Sequence, residues 1–286
     1  MKKLLCLLFA LTFSTALFAC DRTDIPPNDP PSVEQPAPEE TPPLPDAENP
    51  SVPETPSKPS SPQKPDADDT VTIVKKDDYV LCVGSGVNLR SSPSTSANIL
   101  GSAAKNTRYS LIEKKGNWYA LYYKNQIAYL HADYAETFSV EKSQNEKIER
   151  VIEVGYKLIG TKYVYGATRL HNGNGKLLSG FSVTAFDCSS LMQYMFYHGA
   201  NVNLGVTTRA QVVQGKSVKR SALQRGDCIY FTNSYRQNNT GVERIGHVGI
   251  YLGNDYMLHT SSDYARIVKM SDTYWWKYYV EARRFI

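Results

Sequence analysis

Past residue 69 the chain carries a single proline, Pro93, while the other fifteen of its sixteen crowd between Asp21 and Asp69, where aromatic and large aliphatic residues are almost missing. A segment of that composition has too little apolar surface to offset the entropy of ordering it, which excludes a packed core and predicts a disordered, extended, proline-rich linker over residues 21–69. Its twelve acidic residues against three basic make it anionic. Long apolar runs are scarce as well. The run from Leu4 to Ala19, behind Lys2 and Lys3, is short for a membrane span, and no later stretch is apolar enough to hold the chain in a bilayer. No basic run is interleaved with aromatics, which argues against a nucleic-acid partner. Yet residues 70–286 contain 27 basic residues against 16 acidic, a surplus that the whole-chain net charge of +4 conceals. Such a surface suits an anionic polymer.

Cysteine is sparse too, with five in the chain. Cys6 lies in the apolar run and Cys20 closes it, so Cys82, Cys188 and Cys228 remain, an odd number that leaves at least one thiol unpaired. Residues 1–20 read as an export signal, and Leu17-Phe18-Ala19-Cys20 resembles the lipobox of bacterial lipoproteins. That resemblance implies cleavage before Cys20, lipid on Cys20, and an extracytoplasmic chain tied to a membrane through its N-terminal lipid. The anionic polymer would then belong to the cell envelope.

Two domains are expected after the linker. Over residues 70–136, β-type runs at Tyr79–Val83, Ile99–Ala103, Arg108–Glu113, Trp118–Tyr123 and Ala128–His131 alternate with turn signals, the spacing of a small barrel. The runs GVNLRSSPSTSANILG and KKGNWYALYYKNQIAYLHADY resemble the bacterial SH3-like domain of wall-associated proteins, which implies wall binding or substrate positioning. A short connector, Thr137 to Lys142, would lead to a second domain over 143–286. There Ile148, Val151, Ile152, Tyr156 and Ile159 recur at helical spacing, and Cys188 to His198 forms a second helix with Asp187 as its N-cap. Strands follow at Cys228–Phe231, His247–Leu252 and Tyr256–Thr260, the last two joined as a hairpin through Gly253-Asn254-Asp255. Helices first and antiparallel strands afterwards make an α+β domain.

The chemistry concentrates at the start of the second helix. Cys188, in FDCSSL, sits where unpaired backbone amides and the helix dipole favour a thiolate, whereas Cys82 and Cys228 fall inside strands and read as buried, inert thiols. Of the five histidines, His247 and His259 stand apart, because a hairpin turning about Gly253 sets 247 opposite 259 on one face. One imidazole can then orient the other beside the nucleophile. On geometry alone, a structural pair of histidines remains the commoner case.

GTKYVYGA, FDCSSL, LQRGDCIYF, RIGHVGIYLG and YMLHTS follow one another in the order and approximate spacing of the NlpC-type cell-wall cysteine peptidases, over about residues 145–286. The resemblance implies a reduced papain-like fold and hydrolysis of the γ-D-glutamyl bond to a diamino acid in peptidoglycan stem peptides. It implies Cys188 as nucleophile, His247 as base, His259 as the third polar residue and Tyr163 near the oxyanion, with Asp187 and Ser189 contacting substrate or holding the turn. No metal or cofactor is called for. Ser190 and Ala167 stand where the family usually has glycine. The stretch Ala167–Phe186 is longer than usual and reads as a surface loop, with a lid as the sharper alternative and His171 as a solvated residue. Thr207-Thr208-Arg209-Ala210-Gln211 resembles a segment lining the cleft. Relatives that require a free L-alanine amine place an aspartate where Thr207 falls, so stem peptides still attached to sugar are expected to be accepted. Two other outcomes stay open: a wall amidase or cross-bridge endopeptidase with the same Cys/His pair, and a wall-binding lipoprotein without catalysis.

Overall fold

A computed structural model describes residues 74–286, so the signal at 1–20, the linker at 21–69 and Cys20 lie outside the described residues. Seven strands come first: β1 (Lys76–Cys82), β2 (Val87–Arg90), β3 (Ile99–Ala103), β4 (Arg108–Lys115), β5 (Trp118–Tyr123), β6 (Gln126–His131) and β7 (Ala135–Glu141). β4, β5, β6, β2 and β3 are neighbours in that order, and β1 pairs with both β4 and β7. The inward residues Tyr79, Leu89, Ala103, Leu121, Ala128 and Leu130 fill the middle of this small barrel.

The expected connector does not exist as a connector. Residues 137–141 belong to β7, which pairs with β1 from Ala135↔Cys82 to Glu141↔Lys76. Alternation in AETFSVE is blurred because only Val140 is fully buried, and so weak a period does not predict a strand.

The second domain comprises α1 (Glu146–Lys157), β8 (Lys162–Tyr163), β9 (Ala185–Phe186), α2 (Cys188–Ala200), α3 (Thr208–Val212), β10 (Lys216–Val218), β11 (Cys228–Phe231), β12 (His247–Gly253), β13 (Tyr256–Ser261), β14 (Tyr264–Lys269), α4 (Trp275–Tyr278) and β15 (Tyr279–Arg284). Its sheet runs β10-β15-β11-β12-β13-β14, with antiparallel neighbours. α1 turns Ile148, Val151, Ile152 and Tyr156 inward, and α2 is buried along most of its length. The two helices approach closely at Gly199, where a Cβ would come within 2.4 Å of the Val151 backbone.

The domains share one core. Arg225 reaches 2.7 Å from Asp77 of β1 and 2.7 Å from Glu149 of α1, and donates to the Leu252 carbonyl at 2.8 Å and to the Tyr79 hydroxyl at 3.0 Å. The β5–β6 turn completes the joint. Lys124 and Asn125, both at positive φ, donate their backbone N–H groups to the carbonyls of Ile159 and Lys157 at 2.8 and 2.6 Å, capping the end of α1 from the barrel.

Candidate active site

Cys188 opens α2, and Asp187 is its N-cap as the sequence predicts. Asp187 Oδ1 accepts from the Ser190 amide at 2.8 Å and from the Ser189 hydroxyl at 3.0 Å, while the Ser190 hydroxyl accepts from the Asp187 amide at 2.9 Å. Ser190, the departure from glycine, thus closes a reciprocal cap. Two residues upstream of Cys188, the parallel pairing Tyr163↔Phe186 brings Tyr163 to the start of α2. Tyr163, Asp187, Cys188, Ser189, Thr207 and Thr208 all line one cavity of about 390 Å³.

The Cys188 thiol is not the preformed thiolate that a helix start suggests. Burial and the neighbouring Asp187 push it up to about 12, outweighing donation toward the sulfur from the Val248 and Ser189 amides and the charge of Arg169. Those amides nevertheless fix the sulfur next to the strand that carries His247. Cys82 and Cys228 are both fully buried and unbridged.

His247 Nε2 and His259 Nδ1 lie 3.0 Å apart with their rings perpendicular, so the structure brings the expected pair together. The register that does so differs from the expected one. Asn254 and Asp255, both at positive φ, make a two-residue turn, and Tyr251↔Met257 and Ile250↔Leu258 are partners, with an irregularity before Gly253↔Tyr256. Carried along β12, this sets His259 across from Gly249 and makes the two histidines diagonal neighbours. A slip of two residues keeps every side chain on its face, so the pair survives it. Gly249 permits the diagonal, since a Cβ there would lie 3.1 Å from His259 Cβ and 2.5 Å from Met257 Sδ.

His259 is held well below the ordinary histidine range by burial, by His247 and by Arg266. It is therefore neutral near pH 7, and its Nδ1 shares with His247 Nε2 one hydrogen bond whose direction follows the tautomers of the two rings. Trp275 stacks on His247 with ring centroids 4.7 Å apart and meets His259 edge-on at 4.9 Å. Sequence reasoning missed Trp275, although the aromatic run TYWWKYY was visible.

Arg169 was missed as well. It pairs with Asp187 Oδ2 at 2.7 Å and donates to the Val206 carbonyl at 2.7 Å, making it the part of the 167–186 stretch, with Gly166 before it, that reaches the cavity. Phe181 stacks on Tyr194 of α2 and His171 is fully buried against Tyr197 rather than solvated, while most of residues 172–180 are exposed, as in the expected surface loop. It is not a lid. The Thr207 hydroxyl accepts from the Ala210 amide at 3.2 Å as the N-cap of α3, and Gln211 donates to the Ser189 carbonyl at 2.9 Å, tying α3 to the first turn of α2. On the other wall stand Asn233, Tyr235 and Arg236, from the excursion between β11 and β12. Among the described residues, no three His, Cys, Asp or Glu side chains are grouped to hold a metal.

The profile of the NlpC/P60 family matches residues 160–284, and that of the bacterial SH3 domain matches 85–136. A murein DD-endopeptidase/murein LD-carboxypeptidase of Escherichia coli, MepS, is 32% identical over 166 residues, covering 57% of this chain and 81% of its own. The chain belongs to the NlpC/P60 family. Other relatives include the peptidoglycan DL-endopeptidase CwlO of Bacillus licheniformis, 33% identical over 49% of this chain and 28% of its own. The gamma-DL-glutamyl hydrolase of Bacillus subtilis is 32% identical over 47% of this chain and 29% of its own. An NlpC/P60 protein from Bacillus cereus has 23% identity and a TM-score of 0.38, over 73% of this chain and 63% of that one.

Proposed function

We propose that this NlpC/P60 chain is a cysteine peptidase of the bacterial cell wall that hydrolyses the γ-D-glutamyl bond to a diamino acid in peptidoglycan stem peptides. The observation that carries the reading is the buried Cys188 at a capped helix start, its sulfur addressed by the Val248 amide, one residue from a His247 whose other face is held by His259. Cys188 Sγ attacks the γ-carbonyl as its proton passes to His247 Nδ1. Burial raises the thiol pKa, which favours transfer that accompanies attack over transfer that precedes it. Tyr163 and a backbone amide near the start of α2 stabilise the oxyanion, and His247 gives the proton to the leaving amine. Water attacks the thioester, the proton returns through His247, and the thiol is released. The SH3 barrel binds wall or positions substrate.

A second reading has one observation in its favour: the Escherichia coli relative, matched over 81% of its length, is named for DD-endopeptidase and LD-carboxypeptidase action. Defined muropeptides separate the two, since cleavage after γ-D-glutamate releases a dipeptide end and cleavage of a cross-bridge does not. Cys188→Ser is expected to abolish hydrolysis of either while melting within about 1 kcal/mol of the parent, a hydroxyl nearly matching the thiol in size. Turnover by this variant, read by mass spectrometry of the products, would sink the mechanism.

A further inference from the structure

The cavity around Cys188 is lined by three arginines, Arg169, Arg209 and Arg236, and by one carboxylate, Asp187. Arg169 is matched with Asp187 at 2.7 Å. The other two share a single anion from outside the cavity lining. Glu243, on the short turn Gly241–Arg244, offers Oε1 to Arg209 Nε at 3.4 Å and Oε2 to Arg236 Nη1 at 3.2 Å. Arg236 Nη1 also donates to the Glu243 carbonyl at 3.0 Å. Two positive charges thus meet one negative charge. Of the several N–H donors each guanidinium carries, one nitrogen apiece is used, and the rest have no acceptor among the described residues. Both side chains are also restrained, with exposures of 33% for Arg209 and 28% for Arg236, so their forks are partly ordered before anything binds.

A planar fork with spare donors matches a carboxylate and matches a carboxamide poorly, because the amide nitrogen is itself a donor and the group has no charge. We infer that Arg209 and Arg236 read a free carboxylate adjoining the scissile bond, so that the substrate is the acidic, unamidated form of the peptide. This rests on the peptidase reading above and names its substrate class. A hydrogen bond to a charged group accounts for about ten- to a hundredfold in affinity, and partial exposure of both arginines puts the effect at the lower end, about tenfold.

The alternative is that the arginines only pin the excursion between β11 and β12 through Glu243, and opposite-sign variants of the full chain separate the two. The substrates are L-Ala-γ-D-Glu-diamino acid peptides in two matched pairs: glutamyl α-carboxylate free or amidated, and diamino acid carboxylate free or amidated. The readout is the ratio of kcat/KM within each pair. The unmodified protein is expected to prefer the free carboxylate by about tenfold in at least one pair. Arg236→Gln and Arg209→Gln should each move that ratio toward one, and Glu243→Gln, which releases both guanidiniums from their shared anion, should raise it. A ratio near one in both pairs, an unchanged ratio in both arginine variants, or a fall in Glu243→Gln overturns the inference.

Alkylation of Cys188 by iodoacetate and iodoacetamide, read by mass spectrometry at that residue and normalised to a free thiol, measures the same field without turnover. Should neither peptide pair be cut, the peptidase reading fails and the alkylation ratio decides this inference alone. A preference for iodoacetate that falls in Arg236→Gln supports it, and one that does not fall overturns it.

Discussion

At the scale of single residues, the behaviour of His247 is governed by what surrounds it. His259 is buried and neutral, and its depressed pKa has a consequence for stability as well as for chemistry. The unfolded chain protonates this histidine near pH 6.5 while the folded chain does not, so its contribution is complete above that pH and is lost as the pH falls below it. The melting temperature is therefore expected to drop between pH 7 and 5, and His259→Asn should flatten that drop. An identical slope in the variant would mean that other groups, such as the buried His171, govern acid stability. In the proposed mechanism Trp275 is a positioning residue, acting through the face it presents to His247. An aromatic stack contributes about 0.5–1.5 kcal/mol, so Trp275→Leu should lower kcat by about two- to tenfold with KM little changed. Trp275→Phe should restore most of it. A loss confined to KM, or no rescue by phenylalanine, would show that Trp275 merely fills space.

Among elements, the β12–β13 hairpin has little room for added volume beside its histidines. Gly249→Ala would set a methyl 3.1 Å from His259 Cβ and 2.5 Å from Met257 Sδ. Overpacking of this kind destabilises by about 1–3 kcal/mol, and here it also pushes His259 off His247. Urea denaturation and peptide cleavage measured together test this, with activity expected to fall further than the folded fraction does; near-parental cleavage would show that the spacing of the pair is not critical. The same hairpin shows how much could be read beforehand. The faces of His247 and His259 follow from period-two alternation, a local property, but their register depends on whether the pairing centres on Gly253 or one residue later on Asn254, and the letters Gly253-Asn254-Asp255 admit both. α2 was legible to its first residue because Asp187 and Cys188 carry a cap signal, and β3, β5 and β11 begin and end where their apolar runs do. β7 was hidden by a half-polar pattern. Trp275, Arg169 and Arg236 reach the site only because the chain returns to it from distant segments, and no spacing in the sequence records such a return.

For the whole molecule, the buried Arg225 decides whether there are two folding units or one. Its side chain is 5% exposed and joins Asp77 of the barrel to Glu149 of the peptidase. Removing one member of a buried ion network leaves the others uncompensated and costs about 3–5 kcal/mol. The unmodified protein is expected to unfold in one calorimetric transition, and Arg225→Ala to lower its midpoint or split it in two. A variant that melts like the parent would show that the shared apolar core suffices. The β5–β6 turn, whose amides cap α1, bears on inheritance as much as on stability. An ancestor that exchanged this barrel for another wall-binding module would strip the carbonyls of Lys157, the last residue of α1, and of Ile159 just beyond it of their donors, so shuffling is expected to move barrel and peptidase together as a cassette. The boundary at which such a chain can be recombined without repair lies before β1, not between the domains.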